Sequence, residues 1–195
     1  MPAIRIGKQL RVPRARLENV VDLAHFAYVH GTNPTPTIPQ QEVGETTFCV
    51  AVDFIFGGGR ASTWLTADGP VVVRLHNLYS GIGLSYAAFE GGDRYRTLLS
   101  ATPVDDQYTT LFHSIWVPRL TGDDGDRLPE KLRRRMADAK DQLRRDITIW
   151  EHLRYTDPAG LATAELQGFN AARRWARRFY PRNEEAKILA AQPIP

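Results

Sequence analysis

The feature that most constrains the fold is a series of short runs in which apolar residues recur at every second position. Residues 48–56 are the clearest, with phenylalanine and valine alternating with other residue types. A period of two is typical of a half-buried β-strand. Five further runs, broken by glycine-rich turn sequences, follow at 60–66, 70–79, 80–90, 94–102 and 108–117. Six short strands joined by tight turns predict an antiparallel meander.

After the strands the apolar spacing changes to three or four residues. A long helix is predicted to begin at Pro129, with one apolar face formed by Leu132, Met136, Ala139, Leu143, Ile147 and Trp150. A last helix is predicted near residues 162–178. Strands followed by helices predict an α+β fold.

An apolar segment near the N-terminus carries two histidines. Residues 17–30 are predicted to form a helix of about three turns, ended by Gly31 and the prolines that follow it. Asp22 and His25 are three residues apart and so share a helix face, whereas His30 lies in the last turn. Both histidines can reach one metal only if the last turn unwinds. Imidazole nitrogens suit Fe, Zn, Cu or Ni, and two histidines plus one carboxylate with open positions is the arrangement of non-haem Fe(II) oxygenases.

A carboxylate falls on or beside the apolar face of the long helix. Asp146 lies three residues after Leu143 and four before Trp150. An ionised carboxylate there is costly unless it is paired or binds a cation. The residues alone leave two solutions open, a metal or a salt bridge with an arginine such as Arg74 or Arg60. The remaining histidines, His76, His113 and His152, have no partner at ligand spacing and are predicted to be structural.

These motifs resemble the catalytic domain of the Rieske non-haem iron oxygenases. That family's motif reads roughly E-N-x-x-D-x-x-H-x-x-x-x-H, which is met by Glu18, Asn19, Asp22, His25 and His30. In the branch that hydroxylates 3-ketosteroids the third ligand is an aspartate followed by x-x-I-W, as at residues 146–150. Residues 175–180 look like the W-x-x-x-F-Y stretch that ends that branch. The resemblance spans residues 18–180.

The resemblance implies a fold and a set of site residues. The fold is the helix-grip (START-like) one, an antiparallel sheet wrapped around a long C-terminal helix. His25, His30 and Asp146 are the implied ligands of a mononuclear Fe(II). Asp22 is implied to orient a metal histidine and to connect it across a subunit interface, and Asn19 to lie near the iron. The implied organisation is a basic arm or linker at 1–16, the catalytic domain at 17–180 and a tail at 181–195.

The implied activity is hydroxylation of an apolar, steroid-like or aromatic substrate with O2. Complete family members also carry a [2Fe–2S] cluster held by two Cys and two His. Cys49 is the only cysteine, so this chain can form neither that cluster nor an intrachain disulfide. We therefore expect a separate Rieske or ferredoxin electron donor, with the chain being an excised catalytic domain or a natural subunit. Family members form head-to-tail trimers, which predicts a homo- or hetero-oligomer.

The composition and charge of the chain limit the classes of function that remain possible. The net charge is only +3, and the basic runs at 131–135 and 173–178 are predicted to be solvated helix faces or a docking surface for an acidic electron-transfer partner. Nucleic-acid binding is not predicted, because no recognised module accompanies the charge. No apolar run is long enough for a membrane span, and a cytoplasmic location is expected. Two alternatives stay open: a non-catalytic helix-grip module that binds an apolar ligand beside a vestigial metal site, and a zinc-dependent hydrolytic site.

Overall fold

One antiparallel sheet forms the body of the protein. The computed structural model describes residues 4–7, 16–32, 35–56, 69–91, 94–105, 108–121, 127–153, 160–161 and 163–180. Its strands are β1 (Ile4–Gly7), β2 (Thr37–Val43), β3 (Thr47–Phe56), β4 (Val71–Ser80), β5 (Leu84–Glu90), β6 (Tyr95–Pro103) and β7 (Tyr108–Trp116). They form a seven-stranded sheet in the order β1-β7-β6-β5-β4-β3-β2. The helices are α1 (Leu23–Val29), α2 (Glu130–His152) and α3 (Thr163–Ala176), and a 3-10 turn (Arg177–Phe179) follows α3.

The strands β3 to β7 confirm the predicted meander. Consecutive strands pair in antiparallel register from β3 to β7. The run predicted from residue 80 begins as a strand only at Leu84, because residues 81–83 form the turn, where Gly81 has a φ of 57°. The predicted strand at 60–66 lies outside the described residues.

Two segments outside the predicted strands also join the sheet. The basic arm contributes β1, whose residues Ile4 to Gly7 pair with β7 from Leu111 to Tyr108. The proline-containing segment after Gly31 leads into β2, which pairs with β3. The β2 register shifts between Thr37 and Gln40, and Pro39 lies in this stretch. An edge strand tolerates a proline because its outward N–H groups need no partner, and so the sequence pattern was misleading here.

Helix α2 buries the apolar face that its sequence predicts. Leu132, Ala139, Leu143, Ile147 and Trp150 are buried, whereas Met136 is half-buried. Three of them, Ala139, Leu143 and Trp150, line a cavity whose other wall is formed by strands β3 to β7. The predicted α+β class and helix-grip arrangement are therefore confirmed. No helix in the described part of the chain is long and apolar enough to cross a membrane.

The segment that carries the histidine motif is broken in two, which corrects the prediction of one helix over 17–30. Residues 16–19 form a single helical turn, and the Glu18 carbonyl then accepts bonds from the N–H groups of Val21 and Asp22. Asp22 is the N-cap of α1, with its carboxylate accepting the His25 backbone N–H at 3.2 Å. A β-branched pair followed by a strong capping residue favours this restart. The predicted stop is confirmed, since Gly31 follows the C-cap with a φ of 73°.

A buried ion pair ties the first turn of the motif to the last helix. The Arg173 Nε lies 2.7 Å from Glu18 Oε1, and both side chains are almost fully buried. Arg135, from the other basic run, is also buried, with its guanidinium 3.9 Å from the centre of the Tyr95 ring. The prediction that these two basic runs are solvated faces is therefore wrong at Arg135 and Arg173.

Removing one partner of this ion pair should destabilise the fold. We expect Glu18→Gln to lower the free energy of unfolding by about 3 kcal/mol, because it leaves the Arg173 charge buried without its carboxylate. The measurement is urea unfolding followed by circular dichroism. Adding Arg173→Met should recover part of the loss. A Glu18→Gln variant as stable as the wild type would contradict the assigned role of the pair.

Candidate metal centre

His25, His30 and Asp146 converge at one point on the cavity wall. His30 Nε2 lies 2.9 Å and His25 Nε2 lies 3.9 Å from Asp146 Oδ1. One ligand atom from each of the three residues lies within 4.8 Å of the others. Both histidines are buried and Asp146 is half-buried. The structure thus brings together all three predicted ligands, from α1, its C-terminal turn and α2.

The His25 imidazole is held in one orientation by the backbone of its own helix cap. Its Nδ1 donates to the Asp22 carbonyl oxygen at 2.5 Å, so the proton resides on Nδ1 and the Nε2 lone pair is free. This Nε2 is buried and has no hydrogen-bond partner among the residues that the structure describes. Burial lowers the pKa of His25, against the weaker opposing effect of the Asp146 charge. A neutral imidazole with an unsatisfied, inward-facing nitrogen is the form that binds a metal.

His30 is held from the side by the long helix. Its Nδ1 donates to the Gln142 amide oxygen at 2.5 Å, while its Nε2 faces Asp146. Burial lowers the pKa of His30, but the hydrogen bonds and charge of Asp146 and Gln142 outweigh it and the net shift is upward. Without a metal, a proton is thus shared between His30 and Asp146, and a cation that takes this place must displace it.

A row of polar side chains on α2 supports Gln142, and the sequence reasoning missed it. The Gln142 amide nitrogen donates to Asp138 at 3.3 Å, and Asp138 in turn accepts from the Arg135 guanidinium at 3.0 Å. Arg135, Asp138, Gln142 and Asp146 recur every three or four residues, so one face of α2 carries the whole chain of contacts. The signal was present in the sequence, since these residues lie beside the apolar positions that predicted the helix.

The donor set fits a divalent transition metal. Ligand atoms about 2.1 Å from a metal lie about 3 to 4 Å apart, and the two distances to Asp146 agree with that spacing. Both imidazoles have their outer nitrogen bonded to a carbonyl-type oxygen, which is the usual second contact of a metal histidine. The unsatisfied His25 Nε2 is the strongest single indication that the group is built around a cation.

The remaining predicted site residues flank this group. Asn19 is half-buried and lines the cavity beside His25. Asp22 contacts His25 through its backbone carbonyl, and its carboxylate caps α1. The alternative salt bridge for Asp146 is not formed with Arg74, which instead binds Asp53 through two hydrogen bonds of 2.6 Å. Arg60 lies outside the described residues.

The three other histidines have different surroundings. His76 lies 3.5 Å from Glu90 with an exposed side chain, and the His152 Nδ1 lies 2.8 Å from the Thr148 carbonyl. His113 instead lines the same cavity as the metal group. Burial lowers the pKa of His113 to about 4, aided by the nearby charges of Lys140 and Arg16. It is therefore a neutral imidazole at pH 7, although its spacing predicted only a structural role.

The cavity that the metal group enters is largely apolar. Its volume is about 160 Å³. Rings and aliphatic side chains from the sheet and the helices form most of the wall, among them Phe26, Phe54, Phe56, Leu75, Phe89, Tyr95 and Leu143. The Phe26 ring stacks on Phe54 with centroids 5.4 Å apart, directly beside the histidines. The predicted ligands thus face a compact, apolar space.

Comparison with protein-family models identifies the family to which the chain belongs. The model of the 3-ketosteroid 9alpha-hydroxylase C-terminal domain matches residues 10–180. The chain belongs to this family. The match covers the motif residues, strands β2 to β7 and both long helices, whereas β1 lies before it. No curated protein sequence shows significant similarity to the chain.

Solved structures of larger enzymes share the fold. Dicamba monooxygenase bound to dicamba superposes with a TM-score of 0.60 at 19% identity, over 98% of this chain and 59% of that one. NdmB of Pseudomonas putida CBB5 superposes with a TM-score of 0.53 at 15% identity, over 90% of this chain and 48% of that one. The quaternary ammonium Rieske monooxygenase CntA, in complex with gamma-butyrobetaine, superposes with a TM-score of 0.55 at 9% identity. The superposition covers 91% of this chain and 47% of that one. The chain therefore spans about half to three-fifths of these proteins and has the fold of an oxygenase catalytic domain.

Gln142 offers a test of how His30 is positioned. We expect Gln142→Leu to weaken divalent metal binding about 10- to 100-fold, because the Nδ1 proton of His30 loses its acceptor. Isothermal titration with Fe(II) under anaerobic conditions measures this. Gln142→Glu keeps an acceptor oxygen at the same place and should retain most of the affinity. Equal affinity in Gln142→Leu and wild type would show that the contact does not orient the ligand.

The neutral His113 should make stability depend on pH. Its pKa is about 4 in the folded protein against a usual value of 6.5, so the unfolded chain binds the proton more readily. The contribution of His113 to stability is therefore complete above pH 6.5 and is lost as the pH falls toward 4. We expect His113→Gln to flatten the pH dependence of the unfolding midpoint in that window. An unchanged slope would contradict the burial of a neutral imidazole.

Proposed function

We propose that the chain is the catalytic domain of a mononuclear Fe(II) oxygenase that hydroxylates an apolar substrate with O2. The observation that supports this most is the meeting of two imidazole nitrogens and a carboxylate, one nitrogen being buried and unsatisfied, at the wall of an apolar cavity. Membership of a hydroxylase family and the fold shared with larger monooxygenases support the reaction class. Two histidines and one carboxylate leave open positions for other ligands.

Each residue has a distinct task in this proposal. His25, His30 and Asp146 would hold the iron, which when bound supplies activation of O2. Asp22 and Gln142 keep the protons of the two imidazoles on the nitrogens that face away from the metal. The rings of Phe26 and Phe54 exclude water beside the ligands. Asn19 contributes a polar group to the same wall.

The reaction also needs electrons from elsewhere. We expect a separate Rieske or ferredoxin protein to supply them, and a trimer-based assembly to bring it near Asp22. The outer face of α2 supports an acidic docking partner, because Arg144 and Arg145 are exposed directly before Asp146. Arg145 also donates to the Val29 carbonyl, one residue before His30, so this surface contacts both ligand-bearing helices. The cytoplasmic location stays a prediction from the sequence.

Metal binding is the decisive test of the iron site. We expect the purified protein to bind Fe(II) anaerobically at one site per chain, and Asp146→Ala to weaken that binding by at least about 100-fold, because a charged ligand is lost. Asp141→Ala is the matched control, since Asp141 is an exposed aspartate of the same helix. Wild-type protein that binds no Fe(II), or an Asp146→Ala variant that binds it equally well, would refute the proposal.

Measuring catalytic turnover distinguishes an oxygenase from a non-catalytic binding module and from a zinc hydrolase. The cavity alone is also compatible with a non-catalytic module that binds an apolar ligand. An oxygenase should consume O2 and incorporate an oxygen atom from ¹⁸O2 into product when supplied with a ferredoxin–reductase pair. A binding module would retain the ligand unchanged, and a zinc hydrolase would prefer zinc and act without O2.

A further inference from the structure

The cavity has one charged wall that the proposed iron chemistry does not use. Arg16, in the helical turn just before Asn19, is 2% exposed and lines the cavity. Its Nη2 donates to the Ser85 hydroxyl and, at 3.1 Å, to the Leu99 carbonyl, while its Nη1 donates to the Gly83 carbonyl at 3.3 Å. These acceptors hold the guanidinium in place, but all of them are neutral.

Arg16 differs in this respect from the other buried arginines of the described chain. Arg135 has the Asp138 carboxylate at 3.0 Å, and Arg173 has the Glu18 carboxylate at 2.7 Å. Among the residues that the structure describes, no carboxylate forms such a pair with Arg16. A buried cation without a counter-charge is costly, and burial accordingly lowers the pKa of Arg16. An anion that entered the cavity would remove this cost.

Three polar side chains and one leucine form a row beside Arg16 across the sheet face that lines the cavity. Tyr79 pairs with Ser85, Ser85 with Leu99, and Leu99 with His113, so these four side chains lie side by side on β4 to β7. The Tyr79 hydroxyl donates to the Arg16 carbonyl at 2.7 Å and anchors the turn. His113 is neutral and its imidazole can donate one N–H. Cation, hydroxyl and imidazole therefore share one part of the wall.

The next cross-strand rows of residues on the same face of the sheet are more apolar. Asn77 lies beside Ala87 and Thr97, and its buried amide oxygen has no hydrogen-bond partner in the described part of the chain. Beyond it, Leu75, Phe89 and Tyr95 lie in register, with the Phe89 and Tyr95 rings stacked 4.1 Å apart. The wall thus changes from charged to apolar over a few residues. An occupant that fits it has an anionic head and an apolar body.

We propose that this cavity takes a compact apolar carboxylate, whose anionic group binds Arg16 while its ring packs against the apolar rows. A guanidinium has five N–H donors, of which the protein engages three here, so N–H groups remain for a carboxylate. The cavity volume of about 160 Å³ is close to that of engineered cavities that hold one benzene ring. The assignment of this occupant as the substrate rests on the proposed function.

Binding of a carboxylate and its neutral analogue tests the inference without any metal. Benzoate and benzamide are the probes, titrated calorimetrically into the metal-free protein. We expect benzoate to bind at least about tenfold more tightly than benzamide, and Arg16→Gln to abolish this preference. Arg144→Gln, which removes an exposed arginine, controls for the change in net charge. Equal binding of the two probes, or no benzoate binding, would overturn the inference.

A second pair of variants keeps the test valid if Arg16→Gln fails to fold. Ser85→Asp supplies Arg16 with an internal carboxylate, because the Ser85 hydroxyl already contacts its Nη2. We expect this variant to remain folded and to lose benzoate binding at least tenfold, whereas the uncharged Ser85→Asn should largely keep it. Benzoate binding unchanged by Ser85→Asp would contradict the role of Arg16. Since no iron is used, these outcomes are independent of the Fe(II) titration.

Discussion

The contact between His30 and Asp146 joins the two helices on which the candidate site depends. His30 ends α1, Asp146 lies in the last third of α2, and their side chains meet at 2.9 Å although 116 residues separate them. Neither a buried histidine nor a half-buried aspartate is stable alone in an apolar wall. A proton or a cation between them satisfies both, and this requirement fixes how α1 approaches the long helix.

The surroundings of this contact keep it in one geometry. The helix cap at Asp22 orients His25 through a carbonyl, and the polar row on α2 orients His30 through Gln142. On the far side of α1, Glu165 accepts the Ala24 N–H at 3.2 Å, and Glu18 binds Arg173. Helix α3 therefore contacts the motif segment on one side, while α2 contacts its histidines on the other side. The geometry of the three candidate ligands is preorganised by hydrogen bonds that involve no metal.

The cavity combines two groups with different chemical demands. The His25 Nε2 lone pair can take a cation or a hydrogen-bond donor, whereas the hydrogen bonds of the buried Arg16 guanidinium go to neutral acceptors and, in our proposal, it binds an anion. Between them the wall is made mostly of rings and aliphatic chains. A ligand that satisfies Arg16 is thereby oriented in the cavity, since its apolar part can pack only on the remaining wall. Such orientation is what a site for selective C–H chemistry requires.

The sequence by itself determined the meander, the apolar face of α2 and the identity of the three converging residues. Periodicities of two and of three to four are local properties, and the spacing of the histidine motif could be matched to a known family. The strands β1 and β2 were not predicted, because edge pairing depends on partners far along the chain and tolerates basic residues and Pro39. The break at Asp22 was missed because an apolar helix pattern continues across it.

Only the tertiary structure shows the surroundings of Arg16, Gln142 and His113. In the sequence Arg16 is one of several arginines in a basic segment, and nothing local distinguishes it from a solvated one. The pairing of β4 to β7 builds the wall against which Arg16 is buried, and no carboxylate of the described residues forms an ion pair with it there. Asp146 shows the same division, because the residues around it in the sequence left a salt bridge and a metal site both open. The tertiary structure brings the His25 and His30 imidazoles within about 4 Å of its carboxylate, and those distances are set by packing between elements remote in sequence.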